Sequence, residues 1–211
     1  MSAPPGHNLD GLIKWTARDE WRPRVDGVMA KHFEPTMEAF GLSLDEIDDV
    51  LGGGWAATLW SRAFEDFLTK RFGPNDENLV EAYLRRRGWK ERVVTRAYMT
   101  ALQDSVMGLY EVSNIVPGQS FRAHDVVRGG EPVLVSERSA TQTLKTWDRI
   151  AARIVRQDDK AILAGGALAF TLEGSQGLLS RLCGFMERLD RRGPRSAWAT
   201  RSNCGVLDPA G

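Results

Sequence analysis

The chain has 211 residues, 42% of them apolar, and its 28 acids balance its 28 bases. That length can bury one good core or two small ones, and the neutral balance removes the strongest general argument for nucleic-acid binding, which rests on phosphate neutralisation. No apolar run approaches the roughly 20 residues needed to span a bilayer, and no secretory leader is read at the start.

Residues 1–8 read as disordered. From Asp10 to Phe40 the pattern is weakly helical, with Leu12, Trp15, Trp21, Val25, Val28, Met29 and Phe33 as one apolar stripe broken near Pro23. Pro35 is expected to start a new turn and Gly41 to end the region. Residues 1–50 carry ten acids and five bases, an acidic start to the chain. Ser43, with Glu46 three residues on, makes a capping-box pair for a short helix from Leu44 to Leu51. The triple glycine Gly52-Gly53-Gly54 is no phosphate loop: no Lys-Ser or Lys-Thr pair follows, and a helix rather than a strand precedes it. It reads as a helix–helix turn. Trp55 to Phe72 is then strongly amphipathic, with Leu59, Ala63, Phe64, Phe67, Leu68 and Phe72 three or four apart. Gly73-Pro74-Asn75 stops it. Asn78 to Arg87 is a further short helix, whose Arg85-Arg86-Arg87 complements the helix macrodipole. Trp89 to Met107 is the next. Tandem short helices with tight turns make a bundle.

From Leu109 to Phe170 short apolar runs alternate with turn signals, the pattern of a small bent sheet. The expected strands are Leu109 to Val116, Ser120 to Val127, Val133 to Val135, Arg149 to Gln157, and Ala161 to Phe170 interrupted by Gly165-Gly166. Pro117-Gly118 and Arg128-Gly129-Gly130-Glu131 turn the chain. The polar connection from Ser139 to Thr146 has Leu144 as its inward anchor, and Trp147-Asp148 turns into the fourth strand. Phe121 and Ala123 share one side of the second strand, Arg122 and His124 the other. Five short bent strands suit an SH3-like or OB-like barrel. Ser175 to Leu189 reads as a helix, followed by a polar tail with an arginine excess. The chain is therefore expected to be an α+β protein: a helical domain over 9–107, a five-stranded barrel over 108–172, a C-terminal helix over 173–191 and a flexible tail over 192–211. The unbroken passage from Met107 into Leu109 favours close contact between helices and barrel.

Several pieces look familiar: Leu109-Tyr110-Glu111-Val112, Val116-Pro117-Gly118, Ser136-Glu137-Arg138-Ser139-Ala140, and Trp147-Asp148 followed by Ala151-Ala152-Arg153. On these residues about half the chain resembles a group of uncharacterised bacterial proteins, and its β module is similar to one found beside cysteine-rich SEC-C zinc motifs. The zinc motif itself is absent, and the resemblance implies no activity.

The chemistry is sparse. His7, His32, His124, Cys183 and Cys204 show no metal-ligand spacing, so no metal and no cofactor is expected. Ser136, Ser139, Glu137 and His124 lack a nucleophile-elbow pattern. Asp125, Glu137, Asp148 and Glu111 match no nuclease motif. His124 is expected beside Asp125, and Glu137-Arg138 as an ion pair toward Arg149 or Arg153. An enzyme is thus not the leading expectation. A non-catalytic protein-interaction or regulatory module of the bacterial cytoplasm is, with another protein as partner, no membrane, and both cysteines as reduced thiols. It predicts an exposed apolar or aromatic patch at a barrel loop or on the bundle. The alternative is nucleic-acid binding by a basic barrel face made of Arg122, Arg138, Lys145, Arg149 and Arg153. Eight bases stand against six acids between Arg122 and Lys160, and the rings Phe121, Tyr110 and Trp147 are better explained as core. The sequence leaves the oligomeric state open.

Overall fold

The computed structural model describes residues 8–72, 77–157 and 160–190. The expected disordered start except Asn8, the Gly73-Pro74-Asn75 stop and the tail from 192 lie outside these residues, as do His7, Asp158, Asp159, Trp198 and Cys204. The chain divides into two compact units. One holds the chain up to Ser105 together with Val155–Asp158 and Ala164–Gly166. The other holds Val106–Ile154, Asp159–Leu163 and the chain from Ala167 onward.

The first unit is helical: α1 (Asp10–Thr16), α2 (Arg22–Phe40), α3 (Leu44–Leu51), α4 (Gly53–Thr69), α5 (Leu79–Arg87) and α6 (Val93–Gln103). Pro23 falls in the first turn of α2, where its missing N–H costs nothing. The turn expected at Pro35 does not form, because α2 runs through it. Lys31 and Pro35 are both exposed, so the proline falls on the solvent side of α2. Gly41 ends α2 at φ 64°, the left-handed cap that glycine adopts without penalty.

The capping box is formed. Glu46 accepts from the Ser43 N–H at 2.8 Å and its hydroxyl at 2.7 Å, and Ser43 Oγ accepts from the Glu46 N–H at 3.3 Å. Of the triple glycine only Gly52 lies between helices, at φ 74°, and α4 takes in the other two. Phe67 and Leu68 of α4 are buried with Leu12, Val28, Leu79, Val80 and Met99. Trp21 meets Phe67 edge-on at 6.3 Å, and Phe33 lies 4.9 Å from Trp60. Phe72 does not extend α4. It belongs to a two-residue ladder, β1 (Arg71–Phe72) antiparallel to β2 (Glu77–Asn78), which the periodicity did not show.

The second unit is built on a barrel of β3 (Met107–Val116), β4 (Ser120–Asp125), β5 (Val133–Ser136), β6 (Arg149–Gln157) and β7 (Lys160–Phe170), closed in the order β3-β4-β5-β7-β6. β3 pairs antiparallel with β4 and β6, and β4 with β5, while β5 and β7 are parallel. This mixed Greek-key order is that of the OB-like alternative rather than the SH3-like one. Phe121, Val112, Val135, Ile150 and Ala152 fill the interior with Tyr110 and Leu163, and Leu144 packs against them as expected. A helix, α7 (Leu172–Asp190), follows the barrel. The fold class is therefore α+β, with N-terminal helices, a closed five-stranded barrel and a C-terminal helix.

β7 is one strand, bent at Gly165, which has φ +63°. In the helical unit, Ala164–Gly166 lies against α4. Arg62 donates to the Ala164 carbonyl at 2.6 Å and pairs with Glu65 at 3.1 Å, and both side chains are almost wholly buried. A Cβ on Gly165 would overlap Arg62 Nη2 and Glu65 Oε1 and stand 3.0 Å from Ser61 Oγ. Only glycine meets both the backbone angle and the space.

Candidate functional site

The barrel residues come first. Pairing places Arg149, Glu111 and His124 in one outward row, and Ser113, Arg122 and Leu134 in the next. Arg149 is spent locally: its guanidinium pairs with Glu111 at 3.5 Å and donates to Ser175 Oγ at 3.4 Å. Arg153 is 2% exposed and presents nothing to solvent. Arg122 is exposed and donates to the Pro132 carbonyl at 3.2 Å. Arg138 and Lys145 are exposed on the β5–β6 connection. The five do not form one open face. The outward side of β4–β5 offers Arg122, His124, Leu134 and Ser136, with one permanent cation and no Phe, Tyr or Trp. Phe121 and Tyr110 are interior, as expected, but Trp147 is not: it is 68% exposed, at φ 76°.

The familiar motif residues act as turn pins. Glu137 accepts from the Ser139 N–H at 2.9 Å and from its hydroxyl at 2.6 Å, so it is not the ion-pair partner of Arg149 or Arg153 expected from sequence. Gly118 sits at φ 74° and donates to Thr141 Oγ1 at 2.9 Å. The Trp147 N–H bonds the Val112 carbonyl at 2.8 Å. Asp125 accepts from Val127, from Arg128 N–H and from the Arg128 guanidinium. Among the described residues no three His, Cys, Asp or Glu side chains gather as a metal-holding group. Cys183 is disulfide-bonded, which corrects its reading as a reduced thiol.

A different surface stands out, on the helical unit. From Arg85 to Arg96 the sequence carries six bases and one acid. Asn78 caps α5, accepting from the Glu81 N–H at 2.8 Å, and α5 ends at Arg87. The helix expected from Trp89 does not start there. Gly88–Lys90 is a single 3-10 turn, Arg92 is extended at ψ 151°, and α6 begins at Val93. The one acid, Glu91, is engaged, because it accepts a hydrogen bond from the Tyr83 hydroxyl. Burial, first, and the Glu91 carboxylate hold the Tyr83 phenol well above its ordinary range.

Beneath the turn, Trp15 meets Tyr83 edge-on at 5.8 Å. The guanidinium of Arg18 lies 3.6 Å from the Trp15 ring, and those of Arg86 and Arg87 lie 5.8 and 5.9 Å from it. Arg85 pairs with Glu77. Lys90, Arg92 and Arg96 make no ion pair among the described residues.

The same stretch exposes apolar side chains. Trp89 is 73% exposed, Val93 70% and Val94 55%, and Lys90 Nζ stands 5.0 Å from the Trp89 ring. Single exposed apolar residues are ordinary, but a tryptophan and two valines exposed within six residues of sequence are more than that. Adjacent valines are poor helix formers, and these two stay largely exposed. Neither local structure nor the core explains them. The sequence showed the arginines and missed the exposed apolar side chains, since Trp89, Val93 and Val94 fit a helix face turned inward.

The two units thus define an α+β protein with a closed mixed barrel and a cationic, apolar-studded edge on its helices. The chain belongs to the family of unknown function DUF7986, which matches residues 61–195, the cationic edge included. No curated protein and no solved structure matches the chain.

Proposed function

We propose that this is a non-catalytic interaction module that binds a protein partner through the cationic edge at residues 85–96. The observation that carries the reading is the exposure of Trp89, Val93 and Val94 beside Lys90, Arg92 and Arg96, which are exposed and make no ion pair among the described residues. Tryptophan and arginine are the residues that dominate interface energetics when their surroundings are desolvated. Nucleic-acid binding by the barrel is the weaker reading, because Arg153 is buried and Arg149 is paired. A role in regulation, a bacterial source and kinship with SEC-C-associated modules belong to the same proposal and rest on the motif residues quoted above.

The proposal places the protein in the cytoplasm. Among the described residues no helix is long and apolar enough to cross a membrane. The disulfide at Cys183 weighs against that compartment, since reducing pools keep cytosolic thiols reduced. Thiol trapping in native cells decides: a labelled Cys183 fits the cytoplasm, a blocked one does not.

The binding test is co-purification from native cells, with nuclease, of the wild type and of Trp89→Ala. A partner protein held at fixed stoichiometry by the wild type and lost with Trp89→Ala supports the reading. Partners that vanish with nuclease, or that ignore Trp89, overturn it.

A further inference from the structure

The helical unit carries a second exposed surface whose chemistry is the complement of the first. Between Glu34 and Val50 there are six acids and no base. Phe40, the last residue of α2, and Val50, near the end of α3, are each 73% exposed. Glu38, Asp45 and Asp49 are exposed on the same two helices. Ile47 turns inward and is buried, so α3 is already seated in its own unit and its acidic side faces solvent. Each segment thus combines exposed apolar side chains with exposed charge mainly of one sign, and the signs are opposite. The chain as a whole is neutral, so the two surfaces are a separation of charge within one unit rather than a general excess.

We infer that the occupant of the cationic edge is a second copy of this chain, presenting its Phe40–Val50 surface. The inference rests on the interaction reading above and names its partner. Trp89 packs against Phe40 and Val50, and Lys90, Arg92 and Arg96 meet Glu38, Asp45 and Asp49. Opposed potentials steer such an encounter and fix its register, while the apolar side chains supply the affinity. The two surfaces are different patches, so the contact is heterologous: it grows head to tail and either closes into a ring or continues as a filament. An open assembly keeps one vacant surface of each kind, at its two ends, until closure.

The test is sedimentation of the full-length, nuclease-treated chain over a range of concentrations at low and high salt. The wild type gains mass with concentration, and salt weakens the gain. Trp89→Ala and the double variant Asp45→Lys with Asp49→Lys each lose association at least tenfold. All three sites are exposed, and circular dichroism confirms that the variants fold. Mixed in equal amounts, the two variants form a dimer and stop there, because each retains the one surface the other lacks. A wild type that stays monomeric overturns the inference, as does a mixture that fails to pair or association that neither variant weakens. If the wild type is monomeric yet captures another protein through Trp89, the second copy is the wrong partner and the interaction reading stands. If it is monomeric and captures nothing, both fall.

Discussion

Replacing Gly165 with alanine isolates the tie between β7 and α4 in the helical unit. Two costs add. At φ +63° an L-residue is held in the left-handed region, which costs about 1–2 kcal/mol. The new methyl also occupies the space of Arg62 Nη2 and Glu65 Oε1, a buried pair that also holds the Ala164 carbonyl. Breaking a buried pair outright costs about 3–5 kcal/mol, and partial relaxation of the two side chains lowers the share realised here. The expected loss is about 3–5 kcal/mol, a large fraction of a typical domain's roughly 5–15 kcal/mol. The assay is urea unfolding, read as a fall in midpoint at unchanged slope. Gly166→Ala is the internal control: its Cβ would meet Thr58 Cγ2 at 3.5 Å, an ordinary contact, and its change stays within about 1 kcal/mol. If Gly165→Ala costs less than about 1 kcal/mol, or no more than Gly166→Ala, the argument from the buried pair is wrong.

Other perturbations follow the same physics. Tyr83→Phe removes the donor to Glu91 and costs about 1–2 kcal/mol at neutral pH. Because the folded-state phenol is raised, the wild type loses stability as pH climbs past the ordinary tyrosine value near 10, and Tyr83→Phe lacks that component of the melting profile. Glu46 behaves in the opposite sense. The Ser43 N–H and hydroxyl lower its carboxyl, so its contribution is present above the ordinary value of 4.5 and is lost as pH falls below it. Glu46→Gln flattens that acid limb in a thermal scan. Phe121→Ala empties the centre of the barrel and costs about 3–5 kcal/mol by denaturant unfolding, where an exposed residue such as Arg122 changed to alanine shifts stability by about half a kcal/mol or less.

The fold was legible where one local signal decides. The capping box, Gly41 and the alternation of Phe121 and Ala123 against Arg122 and His124 each state a conformation within a few residues. The five strands followed from the turn residues between them. What escaped depends on partners distant in sequence. Arg62 carries no local signal of burial, because its partner carbonyl is at Ala164, 102 residues away. Arg153 looked like a surface cation on an alternating strand, but it is buried. Pro35 looked like a break, and the exposed side of α2 tolerates it. The cationic edge was half legible. The arginine run was visible, while the exposure of Trp89, Val93 and Val94 required knowing that Glu91 turns to Tyr83 and delays α6 to Val93.

Amide hydrogen exchange on the assembled protein, compared with Trp89→Ala, addresses the central claim most directly. The account predicts slowed exchange across Gly88–Arg96, strongest at the first turn of α6, whose N–H groups have no partner within the helix. Protection confined to the barrel around Arg122, Arg138 and Lys145, with residues 88–96 unchanged, would contradict it.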